Sequence, residues 1–306
     1  MQADSRVPTP SEGPMSDPIR SSSMPLPSLG FPVRVLEAGS GPPVLLLHGN
    51  PDSADEWRDV MRLLADTHHC IAPDFPGYGQ SAAPPAAFAY DRAAQVAWAD
   101  AVLTATGVTG PVTVVVHDIG GFVGSPWADA NLDRLRGMVF TNTVAFEGFR
   151  WFSTARAWGR TDPRGQRLAR FQMWVLGRFG GALFRRAFGQ QSPNLSPELL
   201  DRMTAGFATN PAAKDATLRQ FRHATRRGFF DGYDAMNARI IAAVPTRVVW
   251  GLGDVYIPDR WSDAFAPAPT RKLEGVGHWV PLLRPDAVAE AVRDVSPVGT
   301  RPTGGT

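Results

Sequence analysis

One cysteine, two lysines and four tyrosines are all that 306 residues hold of those types, and each shortage excludes something. The lone cysteine, Cys70, rules out an intrachain disulfide framework and a cysteine-rich zinc site. Its setting, His69-Cys70-Ile71-Ala72, is strand-like, so a small core residue is expected there. With only Lys214 and Lys272, the basic side is nearly all arginine and the formal net charge is +2. No dense Lys/Arg run with interleaved aromatics occurs, so no nucleic-acid partner is expected. No apolar run approaches the roughly 18–20 residues of a membrane span. The first thirty residues also lack an apolar signal-peptide core, and a soluble cytoplasmic protein is the expectation. Residues 1–30 and 296–306 are rich in Ser, Pro, Gly and Thr and read as disordered tails.

What is present is an alternation of short apolar strands with helices, the pattern of parallel strands joined by crossovers. Pro43-Val-Leu-Leu-Leu-His48 is a near-continuous apolar run, as in a strand covered on both faces. His69–Phe75, Val112–Val116, Gly137–Asn142, Thr246–Gly251 and Arg271–Glu274 follow as further strands. Asp91–Thr106 has an N-cap aspartate and alanine-rich helical composition, and Pro285–Val295 is a closing helix. Residues 144–241 offer helical patterns, aromatics and arginines but no strand. They are expected to cap the carboxyl edge of a sheet built from 31–143 and 242–295.

Four short motifs carry chemistry. Val116-His117-Asp118-Ile119-Gly120-Gly121 follows a strand and opens a helix, the context of a nucleophile elbow, with a helix N-cap as the competing reading. His48-Gly49-Asn50-Pro51 follows the first buried strand and is otherwise a plain turn. Gly275-Val-Gly277-His278-Trp279 puts a histidine in a glycine-flanked loop before the last helix. Trp250-Gly-Leu-Gly253-Asp254 puts a carboxylate after a buried strand, in the chain order nucleophile, acid, base. Asp259 and Glu147 are competing acids, and Asn142 occupies the other place where such an acid occurs. Among the remaining histidines, His48 and His117 flank backbone motifs and read as structural.

Together these motifs resemble the α/β-hydrolase superfamily, and within it the epoxide hydrolase and haloalkane dehalogenase branch, which carries aspartate rather than serine at the elbow. The resemblance covers about residues 30–295. It implies a mostly parallel twisted sheet flanked by helices, with a helical cap after the sixth strand. It also implies Asp118 as nucleophile of an alkyl-enzyme ester, His278 as base and Asp254 as its partner, with no cofactor or metal. The amides of Asn50 and Ile119 would form the oxyanion hole. An epoxide oxygen needs an acid, for which Tyr233 in the cap is the candidate. A halide needs two donors: Asn50 fits, but Ile119 stands where the dehalogenases have tryptophan. Epoxide hydrolysis is therefore favoured over dehalogenation, with a non-catalytic binding protein on the same fold as a third reading. Trp151, Trp174 and Trp279 are candidate walls of a pocket for a small apolar or aromatic substrate.

Overall fold

The structure, a computed structural model, describes residues 17–298. Eight strands form one sheet: β1 Arg20–Leu26, β2 Phe31–Ala38, β3 Pro43–Leu47, β4 His69–Pro73, β5 Val112–Asp118, β6 Leu135–Thr143, β7 Thr246–Gly251 and β8 Thr270–Leu273. Their order is β1-β2-β4-β3-β5-β6-β7-β8. β2 runs antiparallel to both its neighbours, and every pairing from β4 to β8 is parallel.

Alternation along the central strands explains their apolar runs. Leu45 and Leu47 face one core cluster, with Val112, Val114 and Val116, while Val44 and Leu46 face the other, with Val115. Since successive side chains point to opposite faces, a strand sandwiched between two helical layers must be apolar throughout. The first layer includes helices Arg92–Ala105 and Gly121–Ala130, through Trp98, Val102, Phe122 and Trp127. Helices Arg58–Leu64 and Pro285–Val295 form the second, through Val60, Leu64, Val288 and Val292.

Residues 1–30 are not uniformly a tail. Arg20–Leu26 is an edge strand paired residue for residue with β2, from Arg20 opposite Glu37 to Leu26 opposite Phe31. Its sequence, Arg-Ser-Ser-Ser-Met-Pro-Leu, is mostly exposed, so its order comes from the backbone ladder and leaves no hydrophobic pattern to read. The C-terminal tail expectation is likewise revised at Ser296, which is buried, its carbonyl 3.0 Å from His68 Nε2. Residues 1–16 and 299–306, also read as tails, lie outside the described residues.

Between β6 and β7 the chain is helical: Ser153–Trp158, Pro163–Leu176, Ala182–Gln191, Pro197–Thr209, Pro211–Ala224 and Tyr233–Ala243. Three of these begin with a side-chain cap followed by proline. Asp162, Ser196 and Asn210 each accept a backbone N–H of the first turn, and Pro163, Pro197 and Pro211 occupy a position whose N–H would be unpaired anyway. The last helix, Tyr233–Ala243, packs on Gly121–Ala130 and so belongs with the sheet layer. Across the junction, Arg202 donates to both carboxylate oxygens of buried Asp52, at 2.8 and 3.0 Å.

Helix Gly121–Ala130 approaches β5 closely because Gly124 has no side chain. A Cβ there would meet Val116 Cγ1 at 2.2 Å. Gly124→Ala is expected to destabilise the protein by about 1–3 kcal/mol through overpacking. Gly206→Ala, at an exposed helical site with nothing within 4 Å, is expected to stabilise it by roughly 0.5–1 kcal/mol. Urea unfolding midpoints of the two variants should therefore move in opposite directions.

Candidate active site

Asp118 ends β5 with φ of 46°, a left-handed conformation that a non-glycine residue adopts only when its surroundings enforce it. The enforcement is visible. A Cβ on Gly120 would meet the Leu47 carbonyl oxygen at 2.3 Å, and one on Gly121 would meet Thr143 Oγ1 at 2.3 Å. Thr143 Oγ1 also donates to the Asp118 carbonyl at 2.6 Å. The turn thus holds the carboxylate above the sheet edge, and the helix that follows packs directly against the strand.

Because β3 lies beside β5 in parallel, the loop after β3 reaches the elbow. The Asn50 N–H donates to Asp118 Oδ2 at 2.9 Å. Asn50's side-chain oxygen faces Tyr78 Oη at 3.3 Å and Thr217 Oγ1 at 3.1 Å, both hydroxyl donors, which turns its NH2 group toward the cavity. Ile119 is fully buried and does not line the cavity, so its side chain reaches no ligand there.

His278 stands on the other side. Its Nδ1 lies 2.7 Å from Asp254 Oδ2, and its Nε2 faces Asp118 Oδ1 at 3.9 Å. That second separation is longer than a hydrogen bond and leaves Nε2 free to engage a third molecule. Asp254 accepts further bonds from Asn142 Nδ2 and from the amides of Tyr256 and Ile257. Burial alone would raise its carboxyl, but the His278 ring and these donors hold it below the usual carboxylate range. Asn142, noted in the sequence only as standing where an acid can occur, has a role the motifs did not show. Its oxygen accepts the Gly251 N–H at 2.7 Å while its amide donates to Asp254, so it sets the acid in place. The signal for it was a polar residue at the end of a buried strand.

A cavity of about 450 Å3 opens over Asp118, His278 and Asn50. Trp151 and Trp279 line it, but their indole N–H groups are committed to the Ala224 carbonyl and to Ser192 Oγ. Two expected residues lie elsewhere. Trp174 is 55% exposed and stacks on Phe171 at the cap surface. Tyr233 is fully buried under the helix after the elbow, its hydroxyl spent on the Phe122 carbonyl at 3.2 Å, so it reaches no leaving group. The phenol that does line the cavity is Tyr256, from the loop after β7. Its ring packs 5.2 Å from His278 and its hydroxyl donates to Gln191 Oε1 at 2.7 Å. No arginine lines the cavity, so the cap's surplus of positive charge is directed elsewhere.

The family profile described as alpha/beta hydrolase fold matches residues 42–285. The chain belongs to that family. Among curated relatives of this α/β-hydrolase, a cis-3-alkyl-4-alkyloxetan-2-one decarboxylase of Xanthomonas campestris pv. campestris is 37% identical over 125 residues, 38% of this chain and 42% of that protein. A haloalkane dehalogenase of Agrobacterium fabrum is 36% identical over 119 residues, 39% of this chain and 38% of that one. The chain thus aligns with less than half the length of each. A solved mutant of haloalkane dehalogenase DatA from Agrobacterium tumefaciens C58 superposes with a TM-score of 0.71 at 25% identity, covering 90% of this α/β-hydrolase and 96% of that chain. No helix among the described residues is long and apolar enough to cross a membrane.

The depressed Asp254 carboxyl links the site to stability. Its contribution is complete above the ordinary value near about 3.9 and is lost as pH falls through that value toward the folded one. Urea midpoints measured from pH 6 down to pH 3 are expected to fall less steeply for Asp254→Asn than for the native protein.

Proposed function

We propose that this α/β-hydrolase opens epoxides through a covalent ester on Asp118 and releases a vicinal diol. The observation that carries the reading is the division of labour between the two Asp118 oxygens. Oδ2 already holds the Asn50 N–H, while Oδ1 faces the cavity and His278. Attack by Oδ1 on a ring carbon forms the ester and breaks the carbon–oxygen bond. Oδ2 becomes the ester carbonyl oxygen, already held by the Asn50 amide, which with the amide of Ile119 would stabilise the charge that water attack creates before the ester carbon–oxygen bond breaks and frees the diol. His278, oriented by Asp254, takes the proton from that water.

The leaving oxygen stays attached to the alkyl product and must gain a proton. Tyr256 fills the role first sought in Tyr233, because it is the tyrosine whose ring borders the cavity, and its burial raises the phenol and keeps it protonated. The reaction closes when His278, carrying the water's proton, returns one to Tyr256 through solvent. Epoxide and water together give the diol, and nothing else is consumed. The oxetan-2-one ring named for the Xanthomonas relative is likewise a strained cyclic oxygen compound, which fits the same demand for an acid at the departing oxygen.

Dehalogenation is the second reading, favoured by Asn50 on the cavity wall, by Trp158, whose indole N–H has no protein partner there, and by the Agrobacterium relative. Against it, the indole N–H groups of Trp151 and Trp279 are committed to protein acceptors and isoleucine follows Asp118.

Asp118→Asn is expected to reduce turnover on the order of 10⁴-fold or more. His278→Gln should trap the ester, seen by mass spectrometry as an adduct on the Asp118 peptide. Tyr256→Phe should slow epoxide opening by about 10²-fold or more and leave any halide release nearly unchanged. A panel of terminal epoxides, haloalkanes and a cis-3,4-dialkyl oxetan-2-one, followed by diol, halide and carbon dioxide, selects among the readings. Cleavage of simple carboxylic esters alone would overturn the ring-opening proposal.

A further inference from the structure

The residue before the elbow aspartate has an arrangement that the reaction above does not use. His117 is fully buried, as is Glu56, which lies on the short helical turn Ala54–Trp57 beyond the loop after β3. His117 Nδ1 is 2.8 Å from Glu56 Oε1, an off-linear ion-pair contact. His117 Nε2 is 3.0 Å from the backbone carbonyl of His278. Both ring nitrogens therefore face oxygen acceptors. A neutral imidazole has one N–H and one lone pair, so it can satisfy only one of them. The arrangement is complete when both nitrogens carry protons.

Glu56 does more than balance that charge. Its Oε2 accepts the Gly49 N–H at 3.1 Å, next to the Asn50 amide that holds Asp118. One carboxylate thus ties the loop after β3 to the strand carrying the elbow, and His117 carries the tie on to the loop of the base. The His117 and His278 rings lie 4.7 Å apart, so a shift of one displaces the other.

We propose that Glu56 holds His117 as a buried imidazolium whose Nε2–H is a positioning donor, fixing the His278 loop so that its ring faces the Asp118 ester. The role in ester hydrolysis rests on the covalent mechanism proposed above. The imidazolium itself does not. The other ionisable groups around the pair are Asp118 on the elbow, His278 on the base loop, His48 and Asp52 on the loop after β3, and Arg202 of the cap, which is paired with Asp52. Burial works against the cation, but Glu56 and Asp118 outweigh it and raise the His117 imidazole to about 8. A buried carboxylate and imidazolium tolerate each other's presence far better than either would tolerate being left alone.

The test begins with native protein labelled with 15N at histidine. Long-range 1H–15N correlation at pH 7 should show both His117 nitrogens protonated. The signal is assigned by its loss in His117→Gln, or by its shift in Glu56→Gln if the first variant does not fold. One protonated and one bare nitrogen at pH 7 would overturn the imidazolium. In folded His117→Gln the His278 Nδ1–H proton, bonded to Asp254, should move in the 1H spectrum. An unmoved proton there overturns the positioning role whatever the reaction. In rapid-quench experiments with an epoxide, the same variant should form the ester within threefold of the native rate but hydrolyse it at least tenfold more slowly. Ester hydrolysis at the native rate would also overturn the proposal. If neither native enzyme nor His278→Gln ever shows an ester, the covalent reading fails, and the two spectroscopic results still decide His117.

Discussion

Asp118 can occupy a left-handed conformation only because a strand and the helix that follows it are packed with glycine at every point of near contact. Backbone strain of this kind costs about 1–3 kcal/mol and persists only where its surroundings over-determine it. Here they include the Leu47 carbonyl, Thr143 and Val116, all belonging to the three central strands. The apolar layers on both faces of the sheet hold those strands, so the stability of the core keeps the Asp118 carboxylate on the cavity wall. The position of every other site residue follows from that point, because β3, β6, β7 and β8 all run parallel to β5 and deliver their loops to the same edge.

At that edge the buried polar groups form a chain of hydrogen bonds closed by one ion-pair contact, between His117 and Glu56. Asn142 bonds both Gly251 and Asp254, Asp254 bonds His278, and the His278 carbonyl faces His117, which meets Glu56 and through it Gly49. Each link joins a different loop. Removing one partner would leave a buried donor or acceptor unpaired, at a cost of about 1–3 kcal/mol and more where charge is involved. Such a network keeps geometry narrow at the place where the chemistry needs it. It also makes the loops interdependent, so a change at Glu56 is felt at His278 without contact between them.

Much of this was legible in the sequence because burial on two faces writes a distinctive pattern. Val44 to Leu47 and Val112 to Val116 could be read as central strands, and the polar residues just beyond such strands had to lie at the sheet edge. Asp118 and Asp254 were read by that logic and His278 from its glycine-flanked loop, and the structure brings the three side chains together. Strand β1 was not, since Ser21, Ser22 and Ser23 are held by backbone hydrogen bonds and leave no mark in side-chain pattern. The choice of Tyr233 over Tyr256 failed for another reason. Distance along the chain placed Tyr233 in the cap, but the helix it begins folds back onto Gly121–Ala130, and that packing is set by contacts between segments far apart in sequence. Trp174 misled similarly, because an aromatic residue on a cap helix can face either the cavity or the solvent.

The cap's attachment constrains how a substrate can reach Asp118. Arg202 is bonded to Asp52, two residues beyond Asn50, while Gln191 is bonded to Tyr256, Ser192 to Trp279 and Asn194 to the Gly275 carbonyl. The cap is therefore fastened to the loops that carry Asn50, Asp254 and His278. Opening it at any of these points releases a residue next to one of the three. A rigid core with an independent lid would separate access from chemistry. In this molecule the two share their hydrogen bonds, and a substrate that takes the Tyr256 proton does so at the expense of the bond from Tyr256 to Gln191. In the proposed reaction, ring opening and loosening of the cap at its Gln191 end would thus be coupled by a single hydroxyl.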